Sequence, residues 1–407
     1  MVAVKPFLGL RPAPALVGRV ASPPYDVVTT DEARRLAEGN PHSFLRVIRS
    51  ELEMEPGADP HGDAVYRRAR HNLEKMIKDG VLIRDETGCL YIYRLTMGGH
   101  VQHGVVMGAS IDEYEDGRIK KHEHTRPEKE EDRTRHIMTL KANAGPVLMT
   151  YRARGEIADL VREICTAGEP VYDFSAEDSV DHALWVVSAP GDIERLCSAF
   201  SPVEAFYIAD GHHRAAAACR ARKKLREGNP QHSGSEAYNH FLAAAFPHDE
   251  MRILGYHRVI KDLGGYGLES FMLEVNENFK VEPTKTPEPD VPGRFGMLLD
   301  GCWYRLEARE QSPPDQLDVS ILQEKLLGPV LGIEDPRTDA RIDFVGGGRG
   351  IGEVEKRCQD DMRLGFALHP LGVLQLMDTA DRGETLPPKS TWFEPKLRSG
   401  MVVSGIE

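Results

Sequence analysis

The run Asp210-Gly211-His212-His213-Arg214 concentrates anion chemistry in five residues. A glycine lets backbone approach a charged oxygen closely, two imidazoles offer donors, and a guanidinium adds fixed positive charge. Ahead of it, Ala205-Phe206-Tyr207-Ile208-Ala209 is apolar and of strand length, and Arg214 to Lys224 is alanine-rich with no Gly or Pro. The five residues therefore fall at a strand-to-helix turn, where free N–H groups and the positive end of the helix dipole face an incoming anion. That arrangement describes a phosphate cradle. Asp210 repels a bare phosphate, so its presence points to a bridging Mg²⁺ held by Asp210 or to proton handling at a hydroxyl. The plain structural alternative is an Asp cap beside a surface histidine pair.

A second polar concentration, Arg118-Ile119-Lys120-Lys121-His122-Glu123-His124-Thr125-Arg126, offers Lys120, Lys121, His122, His124 and Arg126 to the same anion, the alternative being a solvated charged loop. His122-x-His124 on extended chain places both imidazoles on one side, as a metal pair requires. No third ligand is evident for it, and no transition-metal site is expected. The glycine run Gly346 to Gly350 fits neither G-x-G-x-x-G nor the P-loop pattern and reads as a turn. Acidic residues at Glu334, Asp335 and Asp343 read as solvated. No nucleophile elbow is present.

Tyr207-Ile208-Ala209-Asp210-Gly211-His212-His213-Arg214 closely resembles the signature of the free L-serine kinases in the ParB/sulfiredoxin superfamily, and the whole chain resembles a large bacterial domain-of-unknown-function family carrying that signature. The resemblance implies that Gly211, His212, His213 and Arg214 hold donor phosphates and that Asp210 is catalytic. Gly383 to Thr391 is similar to the kinases' C-terminal Pro-Lys-Thr/Ser-Thr segment, which implies acceptor binding by Lys389, Ser390 and Thr391. Where those kinases carry Pro-x-Glu with a general base, this chain has Pro24-Tyr25-Asp26, so Asp26 takes that place with Asp for Glu. The implied activity is a small-molecule kinase with ATP, ADP or pyrophosphate as donor, Mg²⁺ as cofactor, and free L-serine or a similar hydroxyl metabolite as acceptor. The alternatives are a ParB-like nucleotide-binding switch and a phospho-ligand-binding protein without transfer.

The elements around these residues fit a mixed α/β protein. Thr29-x-x-Glu32 and Thr125-x-x-Glu128 have the form of capping boxes, the second opening a helix that closes near Gly145. Helical spacing runs from Asp63 to Lys78; Tyr91 to Leu95 and Val101 to Ile111 read as a hairpin; Val147 to Tyr151, Trp185 to Val187 and Phe241 to Phe246 read as strands. The expected organisation is a ParB/sulfiredoxin-like catalytic domain over 1–262 with an insertion at about 100–200, a hinge at Gly264 to Gly267, and an α/β domain over 263–407 whose tail returns to the site. At 407 residues two or three domains are expected. A net charge of -13 speaks against nucleic acid and anionic lipid as partners. Six scattered cysteines and no long apolar run fit a cytoplasmic protein without a membrane helix. A small molecule is the expected partner, and homo-oligomer formation is left open.

Overall fold

The computed structural model describes residues 1–55, 57–309 and 316–407. The described chain divides into two compact units, one formed by residues 1–251 with 395–407, the other by 252–394. The division lies ahead of Gly264 to Gly267, which sit inside the second unit before the helix Leu268–Asn278.

The first unit is built on a nine-stranded sheet. Its strands run in the order Ile119–Lys120, Phe206–Asp210, Val147–Tyr151, His240–Pro247, His100–Ser110, Leu90–Met97, Asp181–Val187 and Tyr172–Ser175, with Val4–Lys5 paired to His100–Ser110. Phe206–Asp210 pairs parallel with Ile119–Lys120, and His240–Pro247 parallel with Val147–Tyr151; the other pairs are antiparallel. The fold is thus mixed α/β. Residues 100–200 supply strands of this sheet, including His100–Ser110 and Val147–Tyr151 near its middle.

The short apolar runs form these strands because both faces are covered. Val147, Met149 and Tyr151 join Ala243, Ala245 and helix residues Leu160, Leu196 and Ala217 in one core cluster, while the opposite-facing Leu148, Thr150, Leu242 and Ala244 are buried as well. The helix Asp63–Lys78 has the bounds its periodicity predicts. Thr29 and Glu32 form the first capping box, with bonds of 3.2 and 2.7 Å.

The second box does not form. The helix runs Pro127–Leu140 with Pro127 in its first turn and no side-chain cap. Proline needs no partner for a missing N–H, so the Thr125 hydroxyl is released and donates to Glu130 instead. Lys141, in the left-handed region at φ 57°, ends this helix well before Gly145.

The second unit carries a six-stranded sheet in the order Phe279–Pro283, Cys302–Ala308, Arg294–Leu299, Leu364–Leu368, Tyr256–Ile260 and Ile342–Gly346. Its core gathers Phe271, Phe279, Phe295, Leu322 and Phe366. Gly346 to Gly350 turn from the last of these strands toward the helix Gly350–Asp360, as expected.

In the first unit, Gly104 faces the Phe246 ring so closely that an added Cβ would lie 2.4 Å from it. Gly104→Ala should therefore destabilise the protein by about 1–3 kcal/mol through overpacking. A lowered urea midpoint at unchanged m value would show it. Gly155→Ala, where a Cβ meets nothing within 4 Å, should stay near wild type.

Candidate functional site

The strand Phe206–Asp210 is buried up to its last residue, and its register against Val147–Tyr151 slips between Ile208 and Asp210. Such an irregularity re-aims the following side chain. Gly211, at φ 97°, then caps the helix His212–Glu227. Glycine is required there twice over, since a Cβ would lie 3.0 Å from the Arg214 guanidinium as well as demand a left-handed backbone. The first-turn N–H groups have no partner inside the helix and point away from it at the dipole's positive end. Buried alanines 215–218 let this helix pack closely against Pro127–Leu140, where the Thr134 hydroxyl reaches the Ala217 carbonyl at 3.4 Å.

Asp210 lies between two cations. Its Oδ2 is 3.0 Å from Lys396 Nζ and its Oδ1 is 3.5 Å from the Arg214 guanidinium, which also donates to the Pro146 carbonyl. About a quarter of the Asp210 side chain remains exposed. Burial pushes its carboxyl up, but Lys396 and Arg214 outweigh this and hold it well below the usual carboxylate range. Asp210 is accordingly an ionised carboxylate at neutral pH and has no proton to donate. Burial likewise works against the charge on Arg214, and Asp26, Asp210 and Tyr25 together hold its pKa above the ordinary value. Asp26 and Asp210 are thus the two carboxylates that act on one buried guanidinium. Pro24, Tyr25, Arg133, Gly145, Arg214 and Ser399 line a common cavity of about 40 Å³, room for about one water.

Lys396 had no signal in the sequence, being a single lysine outside every motif. Its place is set by anchors on the same stretch. Arg398 donates to His182 Nε2 at 3.2 Å and pairs with Asp178, while Ser399 and Ser22 exchange backbone bonds of 2.8 and 3.0 Å. His182, pushed down to about 3 by burial and by Arg398, stays neutral and accepts that bond.

The segment 118–126 does come to the turn. The Arg126 backbone N–H donates to His213 Nε2 at 3.1 Å, which leaves the proton of neutral His213 on Nδ1. His122 and His212 are both buried, at 2% and 5% exposure, and meet edge to face with ring centroids 4.4 Å apart. Burial pushes His122 down to about 4 against the opposing pull of Asp210; the Ile208 backbone also favours its charged form without reaching hydrogen-bond geometry. His212 is driven well below its usual value by burial and by His122. Both rings are neutral at pH 7, so they offer hydrogen-bond donors or ligand atoms and no positive charge.

The remaining expected residues are dispersed. Lys121 Nζ lies 4.3 Å from the Tyr114 ring centroid, and His124 and Arg126 have exposed side chains. Lys389, Ser390 and Thr391 belong to the second unit, where Ser390 Oγ donates to the Pro387 carbonyl at 2.6 Å and Lys389 Nζ lies 5.8 Å from the Tyr256 ring.

As a Mg²⁺ ligand Asp210 fits poorly, because each of its oxygens already faces a cation. Mg²⁺ prefers carboxylate and phosphate oxygens in a full octahedron.

Because the folded Asp210 pKa is depressed, its ion pairs stabilise the fold above the unfolded carboxylate pKa of about 3.9 and lose that effect as pH falls through the folded value. Lys396→Met removes a principal depressing partner. It should cost about 1–3 kcal/mol at neutral pH and flatten the acid limb of the stability profile below about pH 4. Urea midpoints measured across that range would reveal an unchanged limb if Lys396 did not hold the carboxylate.

No curated protein matches the chain. Similar solved structures include a free serine kinase in complex with AMP, at 14% identity and TM-score 0.37, covering 71% of this chain and 86% of that one. Others are SbnI with C-terminal truncation from Staphylococcus aureus, at 13% and 0.37 with coverages of 71% and 82%, and a conserved hypothetical protein from Pyrococcus furiosus, at 13% and 0.35 with coverages of 73% and 93%. At such scores these likenesses carry no argument about this chain. A family match is of another kind, since it spans residues 4–322 and takes in the whole Asp210 turn. The chain belongs to the family described as Protein of unknown function (DUF1015).

Proposed function

We propose that this chain is a phosphotransferase that moves a phosphoryl group from ATP, ADP or pyrophosphate to the hydroxyl of free L-serine or a similar small metabolite. The observation that carries the reading is the Asp210 turn itself: a helix N-terminus opened by left-handed Gly211, with an ionised carboxylate and a buried guanidinium at its edge. The sequence likeness of Tyr207 to Arg214 to the serine kinases of the ParB/sulfiredoxin superfamily supports the same reading.

In this proposal the N–H groups of the first helical turn and Gly211 receive the donor phosphates, because oriented backbone dipoles stabilise anionic oxygens without reorganising. Arg214 and Lys396 offset the charge that spreads over the transferred group. His212 and His213 take part as neutral donors, and Lys121, His122, His124 and Arg126 border the approach. Asp210, clamped by two cations, orients Arg214 and Lys396 toward the transferred group. Asp26, which acts on the same guanidinium, is the base that receives the hydroxyl proton. Mg²⁺ bound with the donor would offset phosphate charge, and no residue of the turn is assigned to hold it, since both Asp210 oxygens already face cations.

Phosphorus NMR of the full chain with ATP, ADP or pyrophosphate against a panel of amino acids and polyols should show one donor consumed with one acceptor class. If no combination reacts, the phosphotransferase reading is wrong. With the productive pair in hand, Asp26→Asn should lower turnover by about 10²–10⁴-fold while donor affinity stays near wild type. Equal losses in both would remove Asp26 from the base role.

A further inference from the structure

Beside the Asp210 turn is a second constellation that the phosphotransferase reading does not use as such. His122, Glu123 and His212 each offer a ligand atom, and these atoms all lie within 4.8 Å of one another. Glu123 Oε2 is 4.0 Å from His212 Nδ1, and the two imidazoles meet edge to face with centroids 4.4 Å apart.

Two features separate this group from an ordinary aromatic contact. Both histidines are more than nine-tenths buried, yet Nδ1 and Nε2 of His122 and Nε2 of His212 have no hydrogen-bond partner among the described residues. Buried polar atoms are nearly always satisfied, and each exception needs an explanation, of which a bound ion or water is one. Glu123 is 36% exposed on its side chain, so the group has an open side by which an ion can enter and at which an exchangeable ligand can sit.

We propose that His122, Glu123 and His212 form a binding site for a divalent transition cation of the zinc class. Two neutral imidazoles with one carboxylate suit Zn²⁺, Co²⁺ or Mn²⁺, whereas Mg²⁺ and Ca²⁺ take oxygen ligands. Three protein ligands leave a fourth position open, as in catalytic zinc sites. Tetrahedral coordination at about 2.0–2.1 Å brings ligand atoms to roughly 3.4 Å apart, so rotation of Glu123 and small shifts of the two rings close the set. The extended alternation of His122 and His124 is not the pair used. Strand Ile119–Lys120 runs parallel beside Phe206–Asp210, and this pairing brings the residues after each strand, His122 and His212, together.

The test is Co²⁺ titration of the full, tag-free, metal-stripped chain in the absence of nucleotide. The site predicts one equivalent bound with visible d–d absorption, displaced by stoichiometric Zn²⁺ and indifferent to a large excess of Mg²⁺. Glu123→Gln, at a partly exposed position, should weaken Co²⁺ affinity at least tenfold with an unchanged unfolding profile. His124→Ala should bind as wild type. Absence of stoichiometric Co²⁺ binding, an unaltered affinity in Glu123→Gln, or loss of binding in His124→Ala would each overturn the proposal. None of these readouts depends on phosphoryl transfer.

Discussion

A carboxylate stays ionised in a largely enclosed turn only when cations stand within reach, and Asp210 meets that condition with Lys396 on one oxygen and Arg214 on the other. The rest of the first unit is arranged to keep those cations in place. Arg398, Ser399 and the short strand Val403–Gly405 hold the terminal stretch that carries Lys396. Left-handed Gly211 leaves the Arg214 guanidinium its place beside the turn. Asp26 adds a second negative charge toward the same guanidinium from the opposite end of the chain. Removing either cation would leave the carboxylate less well matched than it would be in water.

Burial divides the turn into two electrostatic regions. On the Asp210 side, charges are kept and paired. On the His212 side, charge is suppressed, because His122 and His212 desolvate one another and both sit far below their usual pKa. A neutral imidazole is a hydrogen-bond donor or a metal ligand and is not a counter-ion. His212 therefore serves a different chemistry from Arg214, although both stand within the same five residues.

Much of the scaffold was legible where local signals agreed. Helical periodicity set Asp63–Lys78, and the apolar run Val147–Tyr151 had the right bounds because a strand covered on both faces is apolar throughout. The turn at Asp210-Gly211 was legible because few residues other than glycine accept φ near 97°. What failed depended on tertiary partners. Thr125 lost its cap to Pro127, and Glu123 joined His212 only through parallel pairing of two strands distant in sequence. Lys396 is the clearest case, since nothing in its neighbours marks it and a separation of 186 residues lies between it and Asp210.

The central claim is that the opened helix N-terminus at Gly211 receives phosphate. A crystal structure of the full chain soaked with ADP tests it directly. The account predicts phosphate oxygens within hydrogen-bond distance of the backbone N–H groups of His212, His213 and Arg214. Phosphates seated elsewhere, such as on the glycine turn from Gly346 to Gly350, with the Asp210 turn empty, would contradict it.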